Sequence, residues 1–145
     1  MTLYLDSSAL VKRYIAEPGS TETRAIIAAA PLVGTVVITR VEVDATFGRA
    51  IRMGQLEQGA AEPILDRFHH EWPLLFRLPI TEALAVRAGQ LARLEGLRAY
   101  DAVQLAAALT WQDLLGQPVT MATFDRRLWV AAARTGLIPF PALLP

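Results

Sequence analysis

Four acidic residues, each beside a hydrophobic run, are the ones whose type and placement could do chemistry: Asp6, Glu42, Asp101 and Asp125. Asp6 directly follows the apolar stretch Thr2 to Leu5, and Asp125 follows Val119 to Phe124. In an open α/β sheet, ligands bind just beyond the carboxyl ends of the strands. Acids from distant parts of the chain can therefore meet at one place.

Carboxylates that meet in this way need a countercharge. Two of them ~4 Å apart repel by about 4 kcal/mol at an effective dielectric of about 20. Either some stay protonated or a cation lies among them. Oxygen ligands with open positions suit Mg²⁺ or Mn²⁺, which keep waters and bind substrate phosphates. A divalent-metal site is the first hypothesis.

Each acid also has a purely structural interpretation at a helix start. Asp6 and Asp125 could cap the helices that follow them. Glu42 fits a capping box with Thr39, and Asp101 would favour a helix start through the macrodipole. Asp101 is the hardest to explain structurally, because AYDAVQLAAAL is otherwise fit for burial and Arg98 is the only cation nearby in sequence.

The composition indicates one compact domain over residues 1–145. The chain is 53% hydrophobic, and it has no cysteine, which excludes disulfides, zinc thiolates and thiol nucleophiles. With 14 basic and 14 acidic residues, the net charge gives no pointer to nucleic acid. The start MTLYLDSSAL has no basic segment of a signal peptide, and no apolar run is long enough to span a bilayer, so we expect a cytoplasmic protein.

Short apolar runs alternate with helical patterns, which predicts an α/β fold whose small, mostly parallel sheet has four or five strands and helices on both faces. We predict strands at Leu3–Leu5, Thr35–Ile38, Leu75–Leu78 and Val119–Thr123, with a possible edge strand at 136–140. We predict a first helix that Ser7 or Ser8 caps and that runs to about Ile15, and a helix from Thr39 that stops at Gly54. A further helix is predicted to start at a Thr81 cap and to end at Glu95, before Gly96. The other predicted helices are Thr21–Ala30, Glu57–Trp72, Arg98–Leu115 and Asp125–Thr135. Pro31 to Gly34 is predicted to be a turn.

Four segments resemble one known family. YLDSSALVKRYIAEPGS, ITRVEVDATFGRA, LRAYDAVQLAAAL and VTMATFDRRL are similar, in this order and over nearly the full length, to the PIN-domain nucleases. The likeness is strongest to the VapC toxins of bacterial toxin–antitoxin pairs. Asp6, Glu42, Asp101 and Asp125 match the four acids of that family, while Ser7 and Thr123 match the small hydroxyl residues that flank its site. Thr39 stands where the family commonly has serine.

The resemblance implies a three-layer α/β/α fold and an endoribonuclease that depends on Mg²⁺ or Mn²⁺. It also implies a homodimer and a cognate antitoxin that joins a DNA-binding part to a tail covering the toxin's site. On this basis we expect hydrolysis of an RNA phosphodiester, with Asp6, Asp101 and Asp125 as the main metal ligands. Glu42 would complete the site and orient the attacking water. The candidate phosphate contacts, for which an ordinary surface role is an equal alternative, are Arg98, Arg126 and Arg40.

Three other interpretations fit fewer of these residues. A receiver-like phosphoacceptor also gathers acids around Mg²⁺, but it needs a lysine beside them, and Lys12 is the only lysine. A haloacid-dehalogenase-like phosphatase needs Asp-x-Asp after the first strand, where Asp6-Ser7-Ser8 stands. A catalytically inert binding module would keep the fold without binding a metal.

Overall fold

The computed structural model describes all 145 residues and contains a five-stranded parallel sheet between two layers of helices. The strands are β1 (Thr2–Leu5), β2 (Leu32–Val36), β3 (Phe76–Leu78), β4 (Val119–Ala122) and β5 (Ile138–Phe140). The helices are α1 (Ser7–Tyr14), α2 (Ser20–Ala29), α3 (Ile38–Arg52), α4 (Gln58–Glu71), α5 (Glu82–Glu95), α6 (Ala99–Leu115) and α7 (Arg126–Arg134), and a short 3-10 turn covers Trp72–Leu74. The predicted three-layer α/β/α fold is confirmed.

The strand order is β3-β2-β1-β4-β5, so the chain moves outward from β1 in both directions. One hydrophobic cluster includes Leu3, Leu5, Val43 and Phe68, and so joins β1 to helices of the first half of the chain. The other cluster includes Tyr4 and buried residues of α5, α6 and α7. Successive side chains of a strand point to opposite faces, which is why β1 serves both clusters. The strand order reverses between β1 and β4, where open α/β sheets bind ligands.

Two predicted boundaries are wrong around β2. Leu32 to Gly34 belong to the strand instead of a turn, and Ile38 is helical. Gly34 pairs with Tyr4 of β1 and with Phe76 of β3, so it lies inside the sheet. The reason is a close approach: a Cβ on Gly34 would lie 2.6 Å from Cη2 of Trp111. Glycine is present here because of packing against α6, which local sequence does not reveal.

Gly34→Ala is expected to destabilise the protein by about 1–3 kcal/mol, because an added methyl must displace a fully packed indole. Trp111 is 1% exposed, and Phe76 stacks on it with ring centroids 5.2 Å apart. Urea unfolding at constant pH measures the change in the free energy of unfolding.

Gly89→Ala is the matched control, because Gly89 lies within α5 and nothing is within 4 Å of its added Cβ. This control is expected to stabilise the protein by about 0.5–1 kcal/mol through helix propensity. Equal effects at the two glycines would contradict the packing argument.

Candidate active site

Asp6 ends β1 and begins α1, and its carboxylate is buried at 3% exposure. Its Oδ1 accepts from the backbone N–H of Ala9 at 2.8 Å, which makes Asp6 the N-cap of α1. Its Oδ2 accepts from the Thr123 hydroxyl at 2.6 Å, and the Ser8 hydroxyl donates to Oδ1 at 2.8 Å. The predicted cap at Ser7 or Ser8 is therefore wrong, because the acid one residue earlier has the extended backbone that a cap requires and takes the free N–H.

Burial raises the pKa of Asp6 from 3.8 to about 6, although hydrogen bonds from Thr123, Ala9 and Ser8 lower it. The negative charge of Glu42 raises it further. Burial therefore disfavours the ionised form of Asp6 by more than its hydrogen bonds stabilise that form, and no cation pairs with this carboxylate to offset the lost hydration.

Glu42 lies on the second turn of α3, and the predicted capping box with Thr39 is wrong. The helix already begins at Ile38, so Thr39 lies inside it and is fully buried. The Glu42 carboxylate accepts from Gln104 Nε2 at 2.7 Å and from the Ser7 hydroxyl at 3.0 Å. Both partners are distant in sequence, so tertiary contacts set the direction of this carboxylate.

Asp101 and Asp125 share a single cation, Arg98. Asp101 lies in the first turn of α6, and its Oδ2 is 3.5 Å from Arg98 Nε. Asp125 caps α7 by accepting from the Leu128 N–H at 2.9 Å, as its structural interpretation predicts, and its Oδ2 is 3.8 Å from Arg98 Nη2. Asp101, Arg98 and Glu42 line one cleft of about 440 Å³, together with Ala99 and Tyr100.

The four acids influence one another as a row of neighbours. For Asp6, burial raises the pKa and the charge of Glu42 adds to the shift. For Glu42, partial burial raises the pKa and the charge of Asp101 adds to it. For Asp101, partial burial raises the pKa and the charge of Asp125 adds to it. Arg98 lowers the pKa of Asp101 but is 78% exposed, so solvent screens its charge. One exposed guanidinium among four carboxylates leaves a net negative site.

The donor chemistry of this site suits a hard divalent cation, since every candidate ligand is an oxygen. No three acidic or histidine side chains lie close enough together in the structure to hold a metal ion among them. The acids fit such an ion by charge and by ligand type. Contact through bridging water would be compatible with their separation, as Mg²⁺ commonly keeps several waters.

The other predicted residues divide into two groups. Ser7 and Thr123 both donate to site carboxylates, so they orient the acids instead of presenting free hydroxyls. Arg98 lies at the acids. Arg126 makes no ion pair with them and lines a separate groove with Glu95 and Arg134, among others. Arg40 is half-buried and makes no ion pair.

Gln104 is the residue that the sequence predictions missed. It is 1% exposed on α6, and its Nε2 donates to Thr39 Oγ1 at 2.8 Å as well as to Glu42. Its Oε1 accepts from the Tyr4 hydroxyl at 2.7 Å. The signal was present, since Gln104 is a polar residue in the apolar segment that made Asp101 conspicuous.

Lys12 does not stand where a receiver-like phosphoacceptor would need it. Its ammonium donates to Glu17 Oε1 at 2.9 Å and to the Pro18 carbonyl at 2.8 Å. It also lies over the Phe124 ring, 4.3 Å from the centroid. The lysine closes the turn between α1 and α2 and touches none of the four acids.

Comparisons with known proteins identify the family of the chain. The PIN domain family matches residues 3–133. Ribonuclease VapC45 of Mycobacterium tuberculosis is 31% identical over 143 residues, which is 98% of this chain and 96% of the relative. The crystal structure of FitAcB from Neisseria gonorrhoeae has a TM-score of 0.67 at 21% identity and covers 97% of this chain and 98% of its own. A toxin-antitoxin complex from Klebsiella pneumoniae has a TM-score of 0.57 at 19% identity and covers 86% of this chain and 87% of its own. The chain belongs to the PIN domain family.

Proposed function

We propose that the protein is a divalent-metal-dependent endoribonuclease that acts as the toxin of a type II toxin–antitoxin pair. The observation that carries this proposal is the series of four acids from four separate segments, each within reach of the next one's charge, with Asp6 buried where the strand order reverses and only Arg98 opposing their charge. The name of the 31% identical relative, a ribonuclease, supports RNA as the substrate.

In this proposal Asp6, Asp101 and Asp125 hold Mg²⁺ or Mn²⁺, directly or through water, and Glu42 completes the site. When bound, such an ion lowers the pKa of a coordinated water and neutralises charge on the phosphoryl oxygens.

The protein's own side chains position the water and the phosphate. Glu42, held by Gln104 and Ser7, directs a carboxylate oxygen at the attacking water and can accept its proton, since partial burial raises the pKa of this group. Arg98 is able to leave its long contacts with Asp101 and Asp125 for a phosphate oxygen, because those contacts are 3.5 and 3.8 Å and the side chain is exposed.

We also propose a cognate antitoxin, a homodimer and a cytoplasmic location. The toxin-antitoxin complex among the structural neighbours supports the first. Val41 on α3 and Met53, which directly follows that helix, are 59% and 58% exposed, and these exposed apolar side chains support a second copy packing there or against α4. No helix of the chain combines the length and the apolar character needed to cross a membrane.

Purified protein is expected to cut structured RNA with Mn²⁺ or Mg²⁺ and to stop when EDTA is added. Isothermal titration should show Mn²⁺ binding that Asp101→Asn weakens by about tenfold or more, since a charged ligand is lost. The matched control is Asp113→Asn, because Asp113 is exposed and paired with Arg87 away from the site. RNA cutting that persists in excess EDTA, or Mn²⁺ binding that Asp101→Asn leaves unchanged, would overturn the proposal.

A further inference from the structure

A second charged feature lies away from the four acids. A cleft of about 510 Å³ is lined by Arg13 and Tyr14 at the end of α1, Arg24 on α2 and Arg67 on α4. None of the four acids lines it. Three arginines from three different helices therefore meet in one open space that the proposed reaction does not use.

Each of these arginines is fixed to the protein through Nε. Arg13 Nε donates to Glu71 Oε2 at 2.8 Å, Arg67 Nε donates to Glu71 Oε1 at 2.9 Å, and Arg24 Nε donates to the Arg13 carbonyl at 3.2 Å. No Nη atom of the three has a hydrogen-bond partner in the protein. The guanidiniums are thus held in place with their terminal N–H groups free.

Glu71 is the only carboxylate that pairs with this group. Partial burial would raise its pKa, but hydrogen bonds from Arg13, Arg67 and Tyr14 outweigh burial and lower the pKa to about 2. Glu71 is therefore ionised at neutral pH and neutralises one of three guanidinium charges. The excess of positive charge is local. Without these three arginines, the chain has three more acidic than basic residues.

Fixed guanidiniums with free Nη pairs match the oxygens of a phosphate group, which they can bind in a bidentate manner. The cleft and the acids lie at opposite ends of α1, since Tyr14 is seven residues beyond Ser7. At 1.5 Å per residue this is ~10 Å along the helix axis. An RNA strand of a few nucleotides spans that distance, since a stacked strand advances about 3.4 Å per nucleotide.

We propose that this arginine cleft, formed by Arg13, Arg24 and Arg67, binds a backbone phosphate of the RNA substrate at a distance from the bond that is cut. This inference rests on the proposed function for the identity of the ligand. The rest of the chain is net acidic and repels a polyanion, so the cleft supplies attraction that the acidic site cannot. Short RNA that reaches only the acids gains nothing from it.

The test measures binding of a labelled single-stranded RNA of about 20 nucleotides to the Asp6→Asn protein in EDTA, so that no cutting occurs. Arg24→Gln with Arg67→Gln is expected to weaken binding about tenfold and to lower the slope of log affinity against log salt by about one. The matched control is Arg77→Gln with Arg93→Gln, which removes the same charge from exposed arginines that have no ion pair. Equal melting temperatures of the two double variants show that both are folded.

Further measurements separate the outcomes. Inorganic phosphate is expected to compete with the long RNA only at the intact cleft. Equal weakening by the two double variants, or no RNA binding by the parent, would overturn the proposal. So would a glutamate-rich peptide that binds through Arg24 and Arg67 while RNA does not. Failure of the wild-type protein to cut RNA with Mn²⁺ would instead count against the proposed function, because the binding measurements need no cutting.

Discussion

Asp6→Asn is expected to abolish RNA cutting and, at the same time, to raise the melting temperature at pH 8. Loss of a proposed metal ligand removes charge stabilisation of several kcal/mol, which is about a thousandfold or more in rate. The fold should persist, because asparagine caps a helix as well as aspartate does and can still accept from the Ala9 N–H.

The gain in stability follows from the pKa of Asp6. Well below pH 3.8 the carboxyl is neutral in both the folded and the unfolded chain, so ionisation contributes nothing. As the pH rises from 3.8 to about 6, the unfolded chain releases its proton first, and the folded state loses stability relative to it. Above that range the loss is complete and amounts to at most about 3 kcal/mol, at about 1.4 kcal/mol for each pH unit.

Melting temperatures of the wild type and of Asp6→Asn, measured in EDTA at about pH 3 and about pH 8, test this directly. The two proteins should melt together at the acid pH, where the carboxyl is neutral in both states, and separate at the alkaline pH, with the variant higher. Asp113→Asn, which changes an exposed aspartate, should follow the wild type at both values. A variant that melts lower than the wild type at pH 8 would mean that the ionised Asp6 carboxylate stabilises the fold as a structural helix cap.

The parts of the fold that local chemistry determines were predictable from the sequence. The helix from Thr81 to Gly96 is confirmed at both ends, because a side-chain cap and a left-handed glycine act within a few residues. The strands beside Asp6 and Asp125 are confirmed for the same reason, since apolar runs of strand length end at polar residues. The likeness to PIN-domain nucleases then predicts the architecture that the structure shows.

The errors arose where a distant residue decided the local structure. Gly34 belongs to β2 because Trp111, far along the chain, leaves no room for a side chain. Thr39 was predicted to cap α3, yet Gln104 and Thr35 lie against its hydroxyl inside the core. No local pattern contains such contacts, so a capping box and a turn were the natural but wrong predictions.

Gln104→Leu is the second change with a large expected effect: about a 10- to 100-fold loss of activity, as is typical when a partner that orients a site ligand is removed. Leucine fills a similar volume but cannot donate to Glu42, which then keeps only the Ser7 hydroxyl. The loss should appear in kcat more than in KM, because Glu42 is proposed to orient the attacking water and does not bind the RNA. Single-turnover cutting with saturating Mn²⁺ measures it.

Tyr4→Phe is the matched control for this network. It removes the donor to Gln104 Oε1 and leaves both Nε2 contacts in place. Each variant leaves a buried polar group unpaired, at a cost of about 1–3 kcal/mol, so both should lower the melting temperature. Only Gln104→Leu should lower kcat strongly, since only that change releases the Glu42 carboxylate.

The pair of variants separates positioning from stability because the amide has one possible orientation. The Tyr4 hydroxyl keeps its proton, since burial raises its pKa well above the usual value, so it donates and must face the amide oxygen. The amide nitrogen is then turned toward Thr39 and Glu42, which accept its two protons. In Tyr4→Phe the amide keeps this orientation, because its reversal would bring Oε1 against the Glu42 carboxylate, so the amide still sets the direction of that carboxylate. If Tyr4→Phe lowered kcat as much as Gln104→Leu did, the network would act by rigidity alone and not through the hydrogen bond to Glu42.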